Sequence, residues 1–319
     1  TGDRSVRWRN VVIHEVAHQW FGNCVTGGTS NGLKYLRSFL EVRNKSYNQN
    51  ISKPLESRSS CSRLSPYLSW GNLSSRYVWQ QANESIKKGN SPFQIRSFLS
   101  RLRWNSHFIQ RFEMEHSIEF GSVNRGYNDL KKKKVKKYYD SWENGETGYP
   151  LVDASIICLK TTGYLNFRMR SMIVSFLTHH LWQPWQSATF FLAQNFLDFE
   201  PGIHYSQLQM QAGETGVNTI RIYNPTKNAI EKDKEASFIK KWLPKLKEVP
   251  IPLIYEPWKM SVIEQSLFNC KIGKDYPKPI VDISKTRKFA LEKLWSIRKI
   301  KKVKEEKQRI LEKHINTKF

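Results

Sequence analysis

Apolar residues recur at helical spacing through residues 33–47, 92–116, 150–182 and 185–198, and almost nowhere alternate with the period of two that marks a half-buried strand. A chain patterned this way buries its apolar surface by packing helix against helix, so the expected fold is mainly α. At 319 residues the chain can build one or two cores without disulfide support, and its 11 tryptophans supply bulk for them. The four cysteines, Cys24, Cys61, Cys158 and Cys270, are scattered and form no C-x-x-C pair. That argues against a disulfide framework or a clustered metal site and fits a reducing compartment. No apolar run is long enough to span a bilayer and no signal-peptide pattern is present, so a cytoplasmic protein with no membrane partner is expected; a monomer is expected as well.

Charge narrows the range of partners. Lys and Arg number 52 against 28 Asp and Glu, a net charge of +24, and a surface this basic is suited to a polyanion, with nucleic acid the first candidate. Part of the excess is local: residues 131–137 (KKKKVKK) hold six lysines, and residues 285–319 carry 13 Lys and Arg against four Glu. Runs of this kind read as solvated faces or tails. The expected organisation is a short N-terminal fragment (1–26), one domain (27–284) and a basic C-terminal helix or tail (285–319).

Residues 9–22 carry apolar positions at helical spacing and end at Gly22, a suitable C-cap. Within them His14-Glu15-Val16-Ala17-His18 is an H-E-x-x-H pattern, which sets two imidazoles on one helix face to share a zinc ion and places Glu15 as general base. With the QWFGNCVT that follows, residues 9–26 resemble the aminopeptidase N family of zinc peptidases. The third ligand implied by that resemblance falls on Arg37, whose guanidinium repels a metal cation, with Glu41 one helical turn further on. The Gly-Ala-Met-Glu-Asn segment of that family is missing. No metal is therefore expected, and residues 1–26 read as an incomplete, non-functional zinc motif followed by a Gly/Thr/Ser linker at 26–32 (TGGTSNG).

In CSRLSPYL (61–68), Ser65 is suited to an N-cap and Pro66 to the first helical position, and a helix start beside the hydroxyls of Ser62 and Ser65 suits a pyrophosphate. From residue 27 onward the chain resembles photolyases and cryptochromes. The blocks that carry the resemblance are CSRLSPYLSWGNLS (61–74), TGYPLVDA (147–154), TGYLNFRMRSMIVSFL (162–177), FLDFEPGIHYSQLQMQAG (196–213) and TIRIYNP (219–225), followed in order by FIKKWLP, YEPW and DYPKPIVD. The resemblance implies the all-helical FAD-binding domain of that family, with the family's N-terminal α/β antenna domain missing.

It also implies roles. Cys61, Ser62, Arg63, Leu64 and Ser65 match the phosphate-binding stretch, and Tyr47 matches an upstream phosphate-contacting tyrosine. Arg170 and Asp198 take the places of a charged pair beside the isoalloxazine ring, where pairing stabilises an anionic reduced flavin and leaves neither ion buried alone. Glu200 replaces an aspartate, and His204 stands where many photolyases have the asparagine that faces the reactive flavin nitrogen. On the DNA side Trp104 matches a tryptophan on which a flipped-out pyrimidine dimer stacks, with Arg101 and Arg103 beside it for phosphates. Met210 replaces a facing aromatic, and Phe167 a lesion-contacting asparagine. Of three tryptophans that relay electrons to the flavin, the middle one is kept as Trp185; the proximal place is Leu208 and the outer one falls near Lys132, with Trp142, Trp182 and Tyr205 as substitutes. Trp104, Trp185 and His204 are thus the expected catalytic residues. The activity implied is blue-light-driven, FAD-dependent repair of pyrimidine dimers in DNA, that of a deoxyribodipyrimidine photo-lyase. The alternatives are a cryptochrome-like photoreceptor without repair and, from another class, a zinc aminopeptidase fragment.

Overall fold

The computed structural model of the chain describes residues 28–314. Among them are eleven helices of eight residues or more: α1 Gly28–Glu41, α2 Ser75–Lys87, α3 Pro92–Met114, α4 Lys136–Asn144, α5 Pro150–Thr162, α6 Phe167–Ser175, α7 Gln186–Asn195, α8 Pro201–Gln211, α9 Pro225–Lys232, α10 Ile283–Arg298 and α11 Lys301–His314. An isolated bridge between Ile272 and Tyr276 is the only strand-like pairing among the described residues, so the fold is mainly α as the periodicity requires. No helix among them is long and apolar enough to cross a membrane.

Two apolar cores share one long helix. The smaller core, around Phe39, Leu64, Val78 and Ile95, lies between α1, α2 and the first half of α3. The larger one surrounds Trp142, Ile156, Met172, Phe176 and Trp185. At 1.5 Å per residue the 23 residues of α3 run about 35 Å, enough to serve both. Its second half crosses α8 closely at Gly202, where a Cβ would come within 2.8 Å of the Ile109 Cα. Glycine is what lets the backbones approach there.

Several sequence expectations change. Residues 28–32, read as linker, form the first turn of α1. Gly32 is buried against Leu73 and Tyr67, so the small residues serve close packing and not chain flexibility. The single helix expected over 150–182 is broken at Gly163, which takes φ +65° and ends α5; α6 follows, closing in one turn of π-helix at Phe176–His180. Helix α8 was not expected: it is buried on several faces at once, through His204, Tyr205, Leu208 and Gln209, and so lacks an amphipathic stripe.

The basic C-terminus is helical, as expected, but it is no loose tail. Val303 and Ile310 of α11 are buried, and Arg309, Lys313 and His314 all meet Glu115 at the end of α3. Burial alone would raise the Glu115 carboxyl, but the hydrogen bond from His314 and the charges of Arg309 and Lys313 outweigh it and hold the group at about 2. The lysine run is likewise not uniformly solvated. Lys132 is buried, donating to Glu214 Oε1 at 2.8 Å and to the Thr178 carbonyl at 3.0 Å. His14, Glu15 and His18 lie outside the described residues. Arg37 is exposed on α1, and no cluster of ligands that could hold a metal ion occurs among the described residues.

Candidate functional site

Asp198 owes its position to its neighbours in sequence. The left-handed Gly163 ends α5 and accepts a hydrogen bond from the Leu197 N–H at 3.0 Å. The Leu197 side chain occupies the space a Cβ on Gly163 would need, with its Cγ 2.5 Å from that point. Trp70 Nε1 donates to the Leu197 carbonyl at 2.8 Å, and Ser69 Oγ donates to the Asp198 carbonyl at 3.3 Å. The segment from SPYLSW thus pins the segment from FLDFE, and two sequence blocks 127 residues apart meet at one place.

Above that joint lies a cleft of about 270 Å³. On its inner wall Arg170 Nη2 donates to Asp198 Oδ2 at 2.9 Å, Arg170 Nε donates to the Leu165 carbonyl at 2.8 Å, and the guanidinium lies 4.0 Å from the centre of the Phe196 ring. The expected charged pair is therefore assembled. Asp198 Oδ1 and Ser171 Oγ are buried without a hydrogen-bond partner among the described residues. Buried polar atoms are seldom left unpaired, so this wall is built for a polar ligand. Glu200 and His204 also face the cleft. Glu200 caps α8, its Oε1 accepting from the Gly202 N–H at 3.5 Å, and burial raises its carboxyl. Burial pushes the His204 imidazole down to about 4, so it is neutral near pH 7. Its Nε2 lies 3.0 Å from the Thr189 carbonyl, which can only accept; the ring's one N–H is therefore at Nε2 and Nδ1 is left as an acceptor.

The expected phosphate stretch forms a turn beside the same cleft, with corrections. Leu64, not Ser65, is the N-cap of the short helix Ser65–Ser69, so Ser65 is its first residue and Pro66 its second. Ser65 faces the cleft, whereas Cys61 and Leu64 are buried in the smaller core. Arg63 takes φ +57°, a left-handed conformation uncommon for a side chain of its size, and its Nε is buried without a partner among the described residues. The sequence reading missed the residue that holds this turn in place, Arg43. Its guanidinium donates to the carbonyls of Cys61, Ser62 (3.2 Å) and Tyr35 (2.8 Å). It missed Tyr164 too, although the residue lies in a quoted block. The Tyr164 ring packs against both the Arg63 guanidinium (5.3 Å) and that of Arg170 (5.6 Å), joining the turn to the inner wall. Tyr47 lies farther back, edge-on to Phe39 and Phe98 in the smaller core, with its phenol toward Arg101.

The rim is looser. Trp104 is 52% exposed on α3, stacked on Phe108 at 5.7 Å, and it is Asn105, the next residue, that faces the cleft. Met210 is partly exposed on α8 and stands off the cleft. Positions 204, 207, 208 and 211 share one helix face, so Gln207, Leu208 and Gln211 line it instead. Phe167 stands at the mouth, 54% exposed. Trp185 is fully buried in the larger core, away from the lining, and its Nε1 has no partner among the described residues.

Comparison with known proteins accords with this geometry. Residues 98–296 match the family model described as the FAD binding domain of DNA photolyase. The chain is 31% identical over 284 residues to a deoxyribodipyrimidine photo-lyase of Alkalihalophilus pseudofirmus, covering 88% of this chain and 57% of the relative. It is 30% identical over 260 residues to a cryptochrome DASH of Gloeobacter violaceus, covering 81% of this chain and 52% of the relative. A crystal structure of a Synechocystis cryptochrome superposes with a TM-score of 0.77 at 25% identity, over 83% of this chain and 55% of that one. The chain thus spans about half the length of the relatives it matches. None of this supports the likeness of residues 9–26 to zinc peptidases.

Proposed function

The chain belongs to the photolyase/cryptochrome family and carries its FAD-binding domain, and from that premise we propose that it repairs pyrimidine dimers in DNA under blue light. FAD, when bound, supplies the light-driven electron that splits the dimer. The residues that would hold it are Ser65 and the Arg63 turn on the phosphate side, and Arg170, Asp198, Glu200 and His204 around the ring. The observation that carries the reading is the half-satisfied ion pair: Arg170 neutralises Asp198, while Asp198 Oδ1 stays buried and unpartnered at the cleft wall. Such a carboxylate oxygen accepts from a ligand N–H and so orients the ligand. Phe199, Leu192 and Val174 close the apolar part of the wall and exclude water. At the rim, Trp104 offers an indole face to a base turned out of the duplex, and the surrounding Arg side chains meet phosphate.

A second reading, a flavin photoreceptor without repair, draws on Leu208 at the cleft wall in the proximal relay position, on His204 with its N–H committed to Thr189, and on Phe167 and Met210 in lesion-contact positions. One assay separates the two. The FAD-loaded, reduced chain is illuminated with an oligonucleotide containing a cyclobutane dimer, and restored base absorbance is followed. Repair in the light and none in the dark is expected. A flavin spectrum that responds to light while dimers persist would favour the photoreceptor.

A further inference from the structure

Beyond the rim, α2 and α3 enclose a second hollow of about 340 Å³, walled by Arg76, Trp79, Arg103, Ser106, His107 and Gln110 with no carboxylate among its lining residues. The Arg103 guanidinium lies over the Trp79 ring, 5.0 Å from its centre. His107 links the hollow to the rim, since its ring meets that of Trp104 edge-on at 5.7 Å. One turn further along α3, Arg111 adds positive charge; it is buried, and its Nε has no partner among the described residues. The carboxylate beside it, Glu115, is already engaged by Arg309, Lys313 and His314. Burial, followed by the charges of Arg111 and His314, holds the His107 imidazole below its ordinary value and leaves it a neutral hydrogen-bonding group near pH 7.

Two exposed guanidinium groups, the Ser75 hydroxyl, the Gln110 amide and an indole face make a poor site for an apolar ligand. A small inorganic anion would gain nothing from the indole. The combination suits a nucleotide, whose base stacks on an aromatic or guanidinium plane and whose phosphate takes bidentate donors. We propose that this hollow is a flanking-strand subsite. It takes a nucleotide of the DNA strand that flanks the lesion, with the base against the Trp79–Arg103 stack and the phosphate on Arg76 and Arg103. The proposal rests on the DNA-repair reading above.

The test is fluorescence anisotropy of the full FAD-loaded chain with dye-labelled duplexes that carry one cyclobutane dimer and flanks trimmed a base pair at a time. Wild type should lose roughly tenfold in affinity when one particular flank becomes too short to reach the hollow, the scale of one stacked base. Trp79→Ala should bind the long duplex roughly tenfold more weakly than wild type and the trimmed duplex equally well, with flavin absorbance unchanged. Arg76→Ala should lower the slope of log affinity against log salt by about one. Variants that match wild type on both duplexes, or that lose equally on both, would overturn the subsite. Free dAMP bound through Trp79, with DNA affinity unaffected by Trp79→Ala, would overturn it as well and make the hollow a small-molecule site. A wild-type chain that binds no lesion duplex would instead bring down the repair reading, and that result is visible before any variant is made.

Discussion

On the inner wall of the cleft, Arg170 and Asp198 are fixed to each other and to the backbone, and the segment around Asp198 is held from three directions, by Gly163, Ser69 and Trp70. On the rim, Trp104 and Arg103 stand exposed on one helix, held by ring and cation–π contacts and, among the described residues, by no side-chain hydrogen bond. The contrast fits two kinds of ligand. A cofactor held through many turnovers rewards buried, preoriented groups, because ordering them costs nothing at the moment of binding. A DNA strand of variable sequence is met better by exposed aromatic and cationic side chains that can adjust to it.

The contrast breaks most visibly if the inner wall is cut. Arg170→Ala leaves the Asp198 carboxylate buried without its cation, and breaking a buried pair in this way costs about 3 kcal/mol. Urea unfolding should show a lower midpoint with an unchanged slope, and flavin should be lost on gel filtration. An unaltered midpoint would mean the pair is dispensable and the wall is not preorganised. At the rim the effect is smaller and of a different kind. Trp104→Ala should leave stability and flavin content intact while lowering the preference for dimer-containing over undamaged duplex roughly tenfold. If the preference survives, Trp104 does not stack on the lesion.

Electron supply offers a finer cut. Trp185 is buried in the larger core and does not line the cleft, and the place that the resemblance gives to the proximal relay residue is Leu208, which lines the cleft and has no accessible oxidised state. Trp182, a substitute named from sequence, has the Lys132 ammonium 4.6 Å from its ring centre, a charge that opposes the cation an oxidised indole would carry. Photoreduction of the oxidised, FAD-loaded chain with an external thiol should therefore be slow, and slower still in Trp185→Phe. A fast rate that Trp185→Phe leaves unchanged would point to another route.

The smallest effect concerns the C-terminal helix. The folded-state pKa of Glu115, about 2, lies below the unfolded value of about 4.3. Its contribution to stability is therefore fully present above the unfolded value and is lost as pH falls through the folded one. Thermal unfolding across pH 2 to 7 should show Glu115→Gln below wild type at neutral pH, the two converging toward pH 2. Parallel curves would show that α11 is held by Val303 and Ile310 alone.

The inner wall was legible in the sequence because its parts lie inside long, ordered blocks: Arg170 in TGYLNFRMR, and Asp198, Glu200 and His204 in FLDFEPGIHY. What the sequence hid was whatever depends on direction or on distant partners. Met210 and Trp104 were named, while their neighbours Gln211 and Asn105 face the cleft, because one residue along a helix turns a side chain by about 100°. Arg43 carries no motif; it matters only because the fold brings four carbonyls within its reach. Lys132 looked like any other member of a lysine run, and its burial follows from Glu214, 82 residues away. Helix α8 escaped the periodicity because a helix buried on several faces has no polar side to mark it.

FAD binding at this cleft, through Asp198 and its partners, is the premise on which the other proposals stand. Its most direct test is the visible absorption spectrum of the purified chain after loading with FAD and gel filtration, run beside Asp198→Ala. Wild type should retain an equimolar amount of flavin, with a spectrum shifted from that of free FAD, and the variant should lose most of it. A wild-type chain that emerges colourless, or an Asp198→Ala chain that holds its flavin as tightly as wild type, would contradict it.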